Sequence, residues 1–370
     1  MKVSVLGGGN GGFALAFHVA QLGHDVLLYE HAQFKPCIDE IQKSGSITAE
    51  AELKGSKAAL SGKATIQKAT YDIQEAVEFS NVAMIIVPAF GQIPIFESAL
   101  PYLKENHLII TLPGNFAALE FAQICRERGI KKNLRFADTS SIPYACRKTS
   151  PSAVFISGLK IGMHVGVFPG EQTDQVCAEI APLFSLKLRK SRDVIDCALH
   201  NPNLFLHPPT MVFNSGWIQA SGGDFKFYHQ GYQSCVAAFT EAIDRERVEL
   251  LQKLGANPET CLEIMHNNYG KTDDTNIKDF VQKTPIYATI KSPPGLDNRY
   301  LTEDLSYLLV PAVLYLCPRV GVEATATKAL ITCAEVLTGG NIAPARHLKM
   351  VVREGEGVED LKRRLQKWMD

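Results

Sequence analysis

A glycine-rich hexapeptide at residues 7–12 constrains the fold of this chain more than any other feature of its sequence. It follows a β-rich run at residues 2–6 and opens an apolar helical pattern that extends to about residue 22. The spacing G-x-G-x-x-G is formed by Gly7, Gly9 and Gly12. Alone this spacing is a weak signal, because glycine turns are common. Between a strand and a helix it is the fingerprint of a dinucleotide-binding loop.

Each glycine has its own task in such a loop. Gly7 permits a tight turn, Gly9 lets the backbone approach a pyrophosphate, and Gly12 lets the helix pack closely on the strand. The start of the helix then presents free N–H groups and a positive dipole end to the phosphates. We predict a cofactor site made of this loop, an acid after the second strand and a proline after a later strand: Gly7, Gly9, Asn10, Gly11, Gly12, Glu30 and Pro88.

Glu30 decides the type of dinucleotide that we expect. It ends the second apolar run and lies 18 residues after Gly12, where an acid accepts hydrogen bonds from ribose hydroxyls. Its charge would repel a 2′-phosphate, and residues 31–33 contain no arginine. NAD is therefore favoured over NADP, with NADH preferred to NADPH. FAD is a lesser alternative, and a glycine turn with a surface glutamate and no ligand is another.

Strand and helix patterns alternate through the first half of the chain. Continuous apolar runs at residues 25–30, 82–88 and 108–113 fit strands that are covered on both faces. A helical pattern at residues 117–128 follows them, and residues 153–168 resemble a pair of strands before a helix at 171–184. This order predicts an α/β Rossmann domain, with a doubly wound parallel sheet.

The second half changes character near residue 196, after which helical patterns dominate. The clearest are at residues 234–254, 305–316 and 323–337, and the last 20 or so residues form a charged helix. We predict two domains, an NAD(P)-binding domain at residues 1–190 and a mainly α-helical substrate domain at residues 191–370.

Composition excludes several classes of partner. Lys plus Arg number 38 against 39 Asp plus Glu, so no basic excess exists for nucleic acid or an anionic membrane. Nine cysteines form no CxxC pair and no cluster with zinc spacing, so we expect reduced thiols and no metal. We predict a cytoplasmic protein that binds small molecules and allow for a homodimer.

Two clusters in the second half supply catalytic candidates. His200 and His207 frame a proline-rich segment, although a histidine of this kind is often only a core residue. Arg299 and Asp304 lie before the pattern at 305–316. There Asp304 could be just an N-cap, and Arg299 just one half of a surface ion pair. Alternatively, the aspartate could hold an imidazole in one tautomer and the arginine could clamp a carboxylate.

The chain resembles the opine dehydrogenase family, which includes octopine/nopaline dehydrogenase and N-(1-D-carboxylethyl)-L-norvaline dehydrogenase. The resemblance extends from residue 1 to about residue 335. Its motifs are at residues 7–12, 112–114, 119–121, 138–141, 146–147, 203–208, 298–304 and 309–311. Individually these motifs are modest, and their order along the chain makes them specific.

The resemblance implies a Rossmann domain followed by a helical domain of the 6-phosphogluconate dehydrogenase-like type. It also implies an oxidoreductase of amino acid metabolism, in which an amino acid condenses with an α-keto acid such as pyruvate and NAD(P)H reduces the imine. The family histidine in N-x-x-x-H-P matches His207, which is preferred to His200 as general acid and base. Arg299 matches the carboxylate-binding arginine, and Asp304 matches the partner of the histidine.

Three further substrate-binding candidates, Asn115, Thr139 and Ser140, follow strands of the sheet, where ordinary turn chemistry is the alternative. The sequence does not select the amino acid. Two other functions remain open. A 2-hydroxyacid-type, ketopantoate or glycerol-3-phosphate dehydrogenase would need a lysine such as Lys278 or Lys283. An NAD-sensing protein would need no catalytic cluster.

Overall fold

The computed structural model describes residues 1–51, 60–340, 342–348, 352–353, 355 and 357–367. The chain forms two compact units, Met1–Val194 and Ile195–Asp370. The predicted limits of the domains, 1–190 and 191–370, stay a prediction. Among the described residues, no helix is long and apolar enough to cross a lipid bilayer.

The first unit contains twelve strands and six α-helices in its described part. The strands are β1 Lys2–Leu6, β2 Asp25–Tyr29, β3 Ser46–Ala51, β4 Gly62–Thr65, β5 Lys68–Thr70, β6 Val82–Ile85, β7 Leu108–Thr111, β8 Arg135–Thr139, β9 Tyr144–Ser150, β10 Ala153–Leu159, β11 Gly162–Phe168 and β12 Lys187–Lys190. The helices are α1 Asn10–Gln21, α2 Lys35–Ser44, α3 Ile73–Phe79, α4 Ala89–Ala99, α5 Ala117–Glu127 and α6 Thr173–Ile180.

Eight strands form one sheet in the order β12-β11-β8-β7-β6-β1-β2-β5. All of its neighbours are parallel except β8 and β11. The strand order reverses at β1, which pairs with β2 on one side and β6 on the other. Open α/β sheets bind ligands at such a reversal, beyond the carboxyl ends of the strands. The predicted Rossmann class is confirmed.

A second sheet, in the order β4-β3-β10-β9, was missed by the sequence reasoning. Its strands alternate exposed and buried residues, or are short, so they lack the continuous apolar runs of the large sheet. The predicted pair of strands at residues 153–168 exists but is divided, since β10 joins the small sheet and β11 the large one. The predicted helix at 171–184 is shorter, because only α6 is α-helical between two 3₁₀ turns.

Helix α1 lies between the two sheets and contacts strands of both. Residues 12–19 are all buried, and Phe13 and Phe17 are fully buried in the core. Burial of a phenylalanine side chain stabilises a fold by about 1.5–3 kcal/mol. We therefore attribute the position of the glycine loop, at the start of α1, to the anchoring of this helix.

The second unit is helical, as predicted, and its described residues contain no strand apart from a single bridge between Lys226 and Lys291. Its helices are α7 Val194–Leu199, α8 Asn203–Phe213, α9 Ser215–Ser221, α10 Ser234–Lys253, α11 Cys261–Tyr269, α12 Ile277–Lys283, α13 Arg299–Asp304, α14 Cys317–Val320, α15 Thr325–Thr338 and α16 Val358–Gln366. Residues 227–231 form a π-helical turn.

Helix α8 carries Pro208 and Pro209 in its interior. Proline lacks the N–H that would bond the carbonyl four residues earlier, and for Pro209 that carbonyl belongs to Phe205. The Thr240 hydroxyl, on α10, donates to the Phe205 carbonyl at 2.9 Å and replaces the missing bond. The proline segment is thus fixed against the longest helix of the unit's described part.

The predicted start of the helix at residues 305–316 is wrong. The helical run begins at Arg299, and Asn298 is its N-cap, since the Asn298 side chain accepts a hydrogen bond from the Tyr300 N–H. The run continues through π-helical turns at 305–309 and 312–316 into α14. Asp304 therefore lies within the helical run and is not an N-cap, which frees its carboxylate to bond with another element.

Candidate active site

The glycine loop has the backbone geometry that its sequence predicts. Gly7 has a φ of +127°, which is unfavourable for other residues. A Cβ at this position would lie 2.6 Å from Val87 and 2.7 Å from the Ile86 carbonyl. Gly7 therefore lets the loop turn against the end of β6. Pro88, the N-cap residue of α4, is exposed just beyond this point.

Gly9 and Gly12 differ in the space around them. A Cβ on Gly12 would lie 1.7 Å from the Gly7 carbonyl oxygen, so the helix can approach the strand only because this residue is glycine. A Cβ on Gly9 would meet no heavy atom of the described residues within 4 Å. Gly9 is the N-cap residue of α1, where backbone N–H groups are free to bind an anion. A loop of this shape fits a dinucleotide pyrophosphate.

Glu30 follows β2 and lies beside this loop. One carboxylate oxygen accepts a hydrogen bond from the Gly8 N–H at 2.7 Å, and the other accepts one from the His31 N–H at 2.7 Å. These bonds fix the carboxylate at the carboxyl end of β2. Both oxygens keep further lone pairs that can accept hydrogen bonds from ribose hydroxyls.

Lys148, on β9, also contacts the glycine loop and was missed by the sequence reasoning. Its ammonium donates to the Gly8 carbonyl at 3.1 Å and lies 3.9 Å from the centre of the Phe13 ring. Its N–H donates to the Asn10 side chain at 2.9 Å. The strand thus holds the loop from outside the fingerprint. The glycine fingerprint could not have indicated it, because β9 lies more than 120 residues from the loop.

The three weaker candidates lie at the ends of neighbouring strands. Asn115 is buried in the turn between β7 and α5, with a φ of +53°. The Thr139 hydroxyl donates to the Ser141 carbonyl at 2.8 Å, and the Ser140 hydroxyl accepts from the His164 N–H at 3.2 Å. Because β7 and β8 are parallel neighbours, these residues share one edge of the sheet. Their part in binding stays a prediction.

The helical unit brings His207 and Asp304 together. His207 Nδ1 lies 2.7 Å from an Asp304 carboxylate oxygen, although 97 residues separate them along the chain. His207 lies on α8 and Asp304 at the end of α13, and these two helices pack against each other. Both side chains are almost fully buried. A carboxylate at this distance favours the tautomer with the proton on Nδ1, which leaves the lone pair of the neutral ring on Nε2.

Tyr228 is a further member of this cluster that the sequence reasoning did not identify. Its hydroxyl lies 2.8 Å from His207 Nε2. The tyrosine belongs to the π-helical turn at residues 227–231 and is buried. Burial raises the pKa of Tyr228 well above its ordinary value, and Tyr300 adds to the rise, whereas the nearby charge of Arg299 opposes it. The hydroxyl therefore stays protonated at neutral pH.

Arg299 and Tyr300 lie at the beginning of α13. The Tyr300 ring stacks on the His207 imidazole, with centroids 3.9 Å apart and an interplanar angle of 17°. This stacking restricts rotation of the imidazole. Arg299 is exposed, and its charge acts on the Tyr228 hydroxyl of the same cluster. An exposed guanidinium can bind a carboxylate through two parallel hydrogen bonds.

His200, the alternative histidine, has a different environment. Its Nδ1 lies 2.7 Å from the Asp196 carbonyl oxygen, and its Nε2 accepts from the Glu259 N–H at 3.2 Å. An Asp196 carboxylate oxygen, from four residues earlier in the chain, also lies 3.2 Å from Nδ1. These bonds connect the end of α7 to the segment before α11, so the contacts of His200 hold two segments of the helical unit together.

Two known protein families match different parts of the chain. The α-helical domain of NAD/NADP octopine/nopaline dehydrogenase matches residues 190–338, and the N-terminus of NAD-dependent glycerol-3-phosphate dehydrogenase matches residues 2–121. An opine dehydrogenase of Arthrobacter sp. (strain 1C) is 32% identical over 309 residues, which cover 83% of each chain. The chain belongs to the opine dehydrogenase family. It is an NAD(P)-dependent oxidoreductase that joins an amino acid to an α-keto acid by reductive condensation.

Solved structures share its fold. Octopine dehydrogenase in complex with NADH and agmatine matches with a TM-score of 0.72 and 20% identity, over 99% of this chain and 95% of that one. Yersinopine dehydrogenase with NADP⁺ bound matches with a TM-score of 0.68 and 13% identity, over 99% and 98% of the two chains. The predicted family and enzyme class are confirmed.

Proposed function

We propose that the enzyme condenses a small α-keto acid such as pyruvate with an L-amino acid, and that it prefers NADH to NADPH. His207 is the general acid and base, Asp304 is its partner, and Arg299 binds the carboxylate of the keto acid. The observation that carries this proposal is the 2.7 Å contact between His207 and Asp304 in the helical unit. A non-catalytic NAD-binding protein has no need of this buried pair.

His207 serves the two proton transfers of the condensation. The amine attacks the keto carbon, and the resulting carbinolamine must then lose its hydroxyl group as water. The first step releases a proton from nitrogen, and the second delivers one to oxygen. An imidazole can accept and donate both protons, and the Asp304 carboxylate holds the ring in place through Nδ1. When bound, NADH supplies the hydride that reduces the imine.

Arg299 orients the keto acid. A guanidinium binds a carboxylate through two parallel hydrogen bonds, which fix the direction of the attached carbon. The exposure of Arg299 supports this role, since a ligand can reach it. Asn115, Thr139 and Ser140, at the edge of the sheet in the first unit, are the proposed further contacts to substrate. Pro88 and Asn10 are proposed to contact the dinucleotide.

Glu30 supports the preference for NADH. Its carboxylate is fixed next to the glycine loop by the Gly8 N–H, so a 2′-phosphate would meet a negative charge there. Lys148 brings a positive charge to the same loop and moderates this repulsion. We therefore propose a preference for NADH and not an exclusion of NADPH. Homodimerisation and a cytoplasmic location stay predictions.

The test compares NADH oxidation with and without an amine. Pyruvate and related keto acids are supplied alone and then with each common L-amino acid. We expect little oxidation with the keto acid alone and a large increase with the correct pair. Mass spectrometry should detect a product equal to the sum of the two substrates minus one oxygen. Turnover to a 2-hydroxy acid without an amine would instead favour the 2-hydroxyacid-type alternative.

A further inference from the structure

Both ring nitrogens of His207 have side-chain partners. Nδ1 is bonded to Asp304, and Nε2 lies 2.8 Å from the Tyr228 hydroxyl. A substrate therefore cannot reach Nε2 along the direction of its lone pair while Tyr228 keeps this position. Either the tyrosine moves away during catalysis, or protons pass through its hydroxyl.

The surroundings of Tyr228 oppose its displacement. The side chain is 3% exposed, and its ring lies 4.2 Å from the Tyr287 ring and 5.0 Å from the Phe227 ring. Tyr300 stacks on the imidazole itself. Close packing on several sides makes rotation of a buried ring costly. A hydroxyl hydrogen, in contrast, can change partners without movement of the ring.

We propose that Tyr228 relays protons between His207 and the reacting substrate, so that the acid–base unit is the chain Asp304–His207–Tyr228. This inference rests on the proposed role of His207. The hydroxyl suits the task because it donates and accepts at the same oxygen. The high pKa of the buried tyrosine means that it returns to the neutral form after each transfer.

The relay can be followed through dehydration of the carbinolamine. The Tyr228 hydroxyl gives its proton to the leaving hydroxyl group while its oxygen takes the proton from Nε2 of the imidazolium. The C–O bond breaks and water leaves. The nitrogen lone pair forms the C=N bond, so the positive charge moves from the imidazolium to the protonated imine. Tyr228 is unchanged, and His207 ends neutral.

Tyr228→Phe tests the relay, because it removes the hydroxyl and keeps the ring. We expect kcat to fall by about 10²-fold or more, within the range for a lost acid–base group, with an unchanged Kd for NADH. Tyr287→Phe is the matched control. Tyr287 packs on Tyr228 and on Tyr269. This control should keep kcat within about twofold to threefold of the wild type, because a change at a position outside the chemistry has a small effect.

A readout of the number of moving protons separates a relay from a positioning role. Single-turnover rates are measured in mixtures of H₂O and D₂O. Transfer through Tyr228 moves two protons in one step, so the wild-type rate should depend on the deuterium fraction along a curve. A linear dependence of the wild-type rate on the deuterium fraction would overturn the relay, even if Tyr228→Phe had a low kcat. Equal losses in the two Phe variants would also overturn it.

His207→Ala distinguishes failure of the relay from failure of the proposed function. If His207→Ala is slow and Tyr228→Phe keeps its rate, the relay is wrong and the role of His207 stands. If His207→Ala keeps its rate, the proposed function of the pair fails, and the relay fails with it. If both are slow, the double variant should be no slower than His207→Ala alone, because the two residues act in one chain. A further loss in the double variant would contradict the relay.

Discussion

The glycine loop and the His207 cluster differ in how far apart their parts lie along the chain. The loop and Glu30 occupy one continuous segment, residues 7–30, and their contacts involve mainly backbone N–H groups. His207, Tyr228 and Asp304 come from three segments and meet through side-chain atoms. The first site depends on local backbone shape, whereas the second depends on how helices pack.

This difference has consequences for mutation. A backbone site tolerates most changes of side chain but not an added Cβ at a point of close approach. A side-chain site loses its chemistry when one group is removed, even if the fold survives. The two sites can therefore be separated experimentally, by affinity for the cofactor in one case and by turnover in the other.

The largest expected effect is that of His207→Ala. Loss of the general acid and base should lower kcat by about 10²–10⁴-fold, while the Kd for NADH is unchanged because the glycine loop lies in the other unit. Steady-state kinetics and a fluorescence titration with NADH measure the two quantities. His200→Ala is the control, since His200 is the other candidate histidine and is also buried in the helical unit. Greater loss of turnover in the control than in His207→Ala would mean that the wrong histidine was chosen.

Two glycine variants test the backbone site. In Gly12→Ala, the new Cβ would overlap the Gly7 carbonyl oxygen. We therefore expect the free energy of unfolding to fall by about 1–3 kcal/mol and the affinity for the cofactor to fall as well. In Gly9→Ala, the Cβ has open space, and stability should change by less than about 0.5 kcal/mol. Its affinity for NADH should nevertheless fall by about tenfold, because the methyl group occupies the space of the pyrophosphate. Unchanged NADH affinity in Gly9→Ala would argue against this placement of the cofactor.

Arg299→Lys addresses the carboxylate clamp. A lysine keeps the charge but loses the two parallel hydrogen bonds, so kcat/KM for the keto acid should fall by about tenfold. NADH affinity should not change. Arg245→Lys, an exposed arginine on α10, is the matched control. If both variants have the kinetics of the wild type, Arg299 lies outside the substrate site.

Glu30→Gln should shift cofactor preference by a smaller factor. Removal of the negative charge should raise the ratio of kcat/KM for NADPH to that for NADH by roughly fivefold, which corresponds to about 1 kcal/mol. Glu78→Gln, at an exposed position on α3, controls for a general change of charge. Equal use of NADH and NADPH by the wild type would remove the premise of this prediction.

The last expected effect concerns stability, and its site is His18, a buried histidine whose ring contacts two hydroxyl groups. Its ring nitrogens lie 2.8 Å from the Tyr144 and Ser185 hydroxyls, and burial lowers the pKa of His18 to about 4 from its ordinary value of 6.5. In the window between about 4 and 6.5 the unfolded chain binds the proton more readily. Stability should therefore fall as pH decreases through that window, by about 1 kcal/mol between pH 7 and 5.5.

Thermal unfolding of the wild type and His18→Gln at these two pH values measures this contribution. The variant should lose less stability on acidification. His24→Gln, at a partly exposed position of the same unit, should behave as the wild type. An identical loss in His18→Gln would assign the acid sensitivity to other groups. The result would sharpen the contrast with His207, whose partner is a carboxylate.

The sequence by itself determined the parts of the protein that depend on local pattern. Residues 2–6, the glycine loop and the apolar helix after it predict a Rossmann unit, because strand and helix periodicity and the steric freedom of glycine act over a few residues. Motif order then identified the family, and the segments around His207 and Asp304 were selected within it. The small second sheet was not predictable, since its strands carry no continuous apolar run.

Local sequence pattern did not decide which distant groups meet. The family resemblance predicted the pair His207 and Asp304, and only the tertiary structure added Tyr228 and Lys148. Asp304 reaches His207 because the helical run begins at Arg299 and packs on α8, whereas local pattern placed Asp304 at a helix start. Tyr228 and Lys148 reach the two sites from a π-helical turn and an edge strand. Their contacts arise from packing between elements that are far apart along the chain, and neither periodicity nor spacing encodes that arrangement.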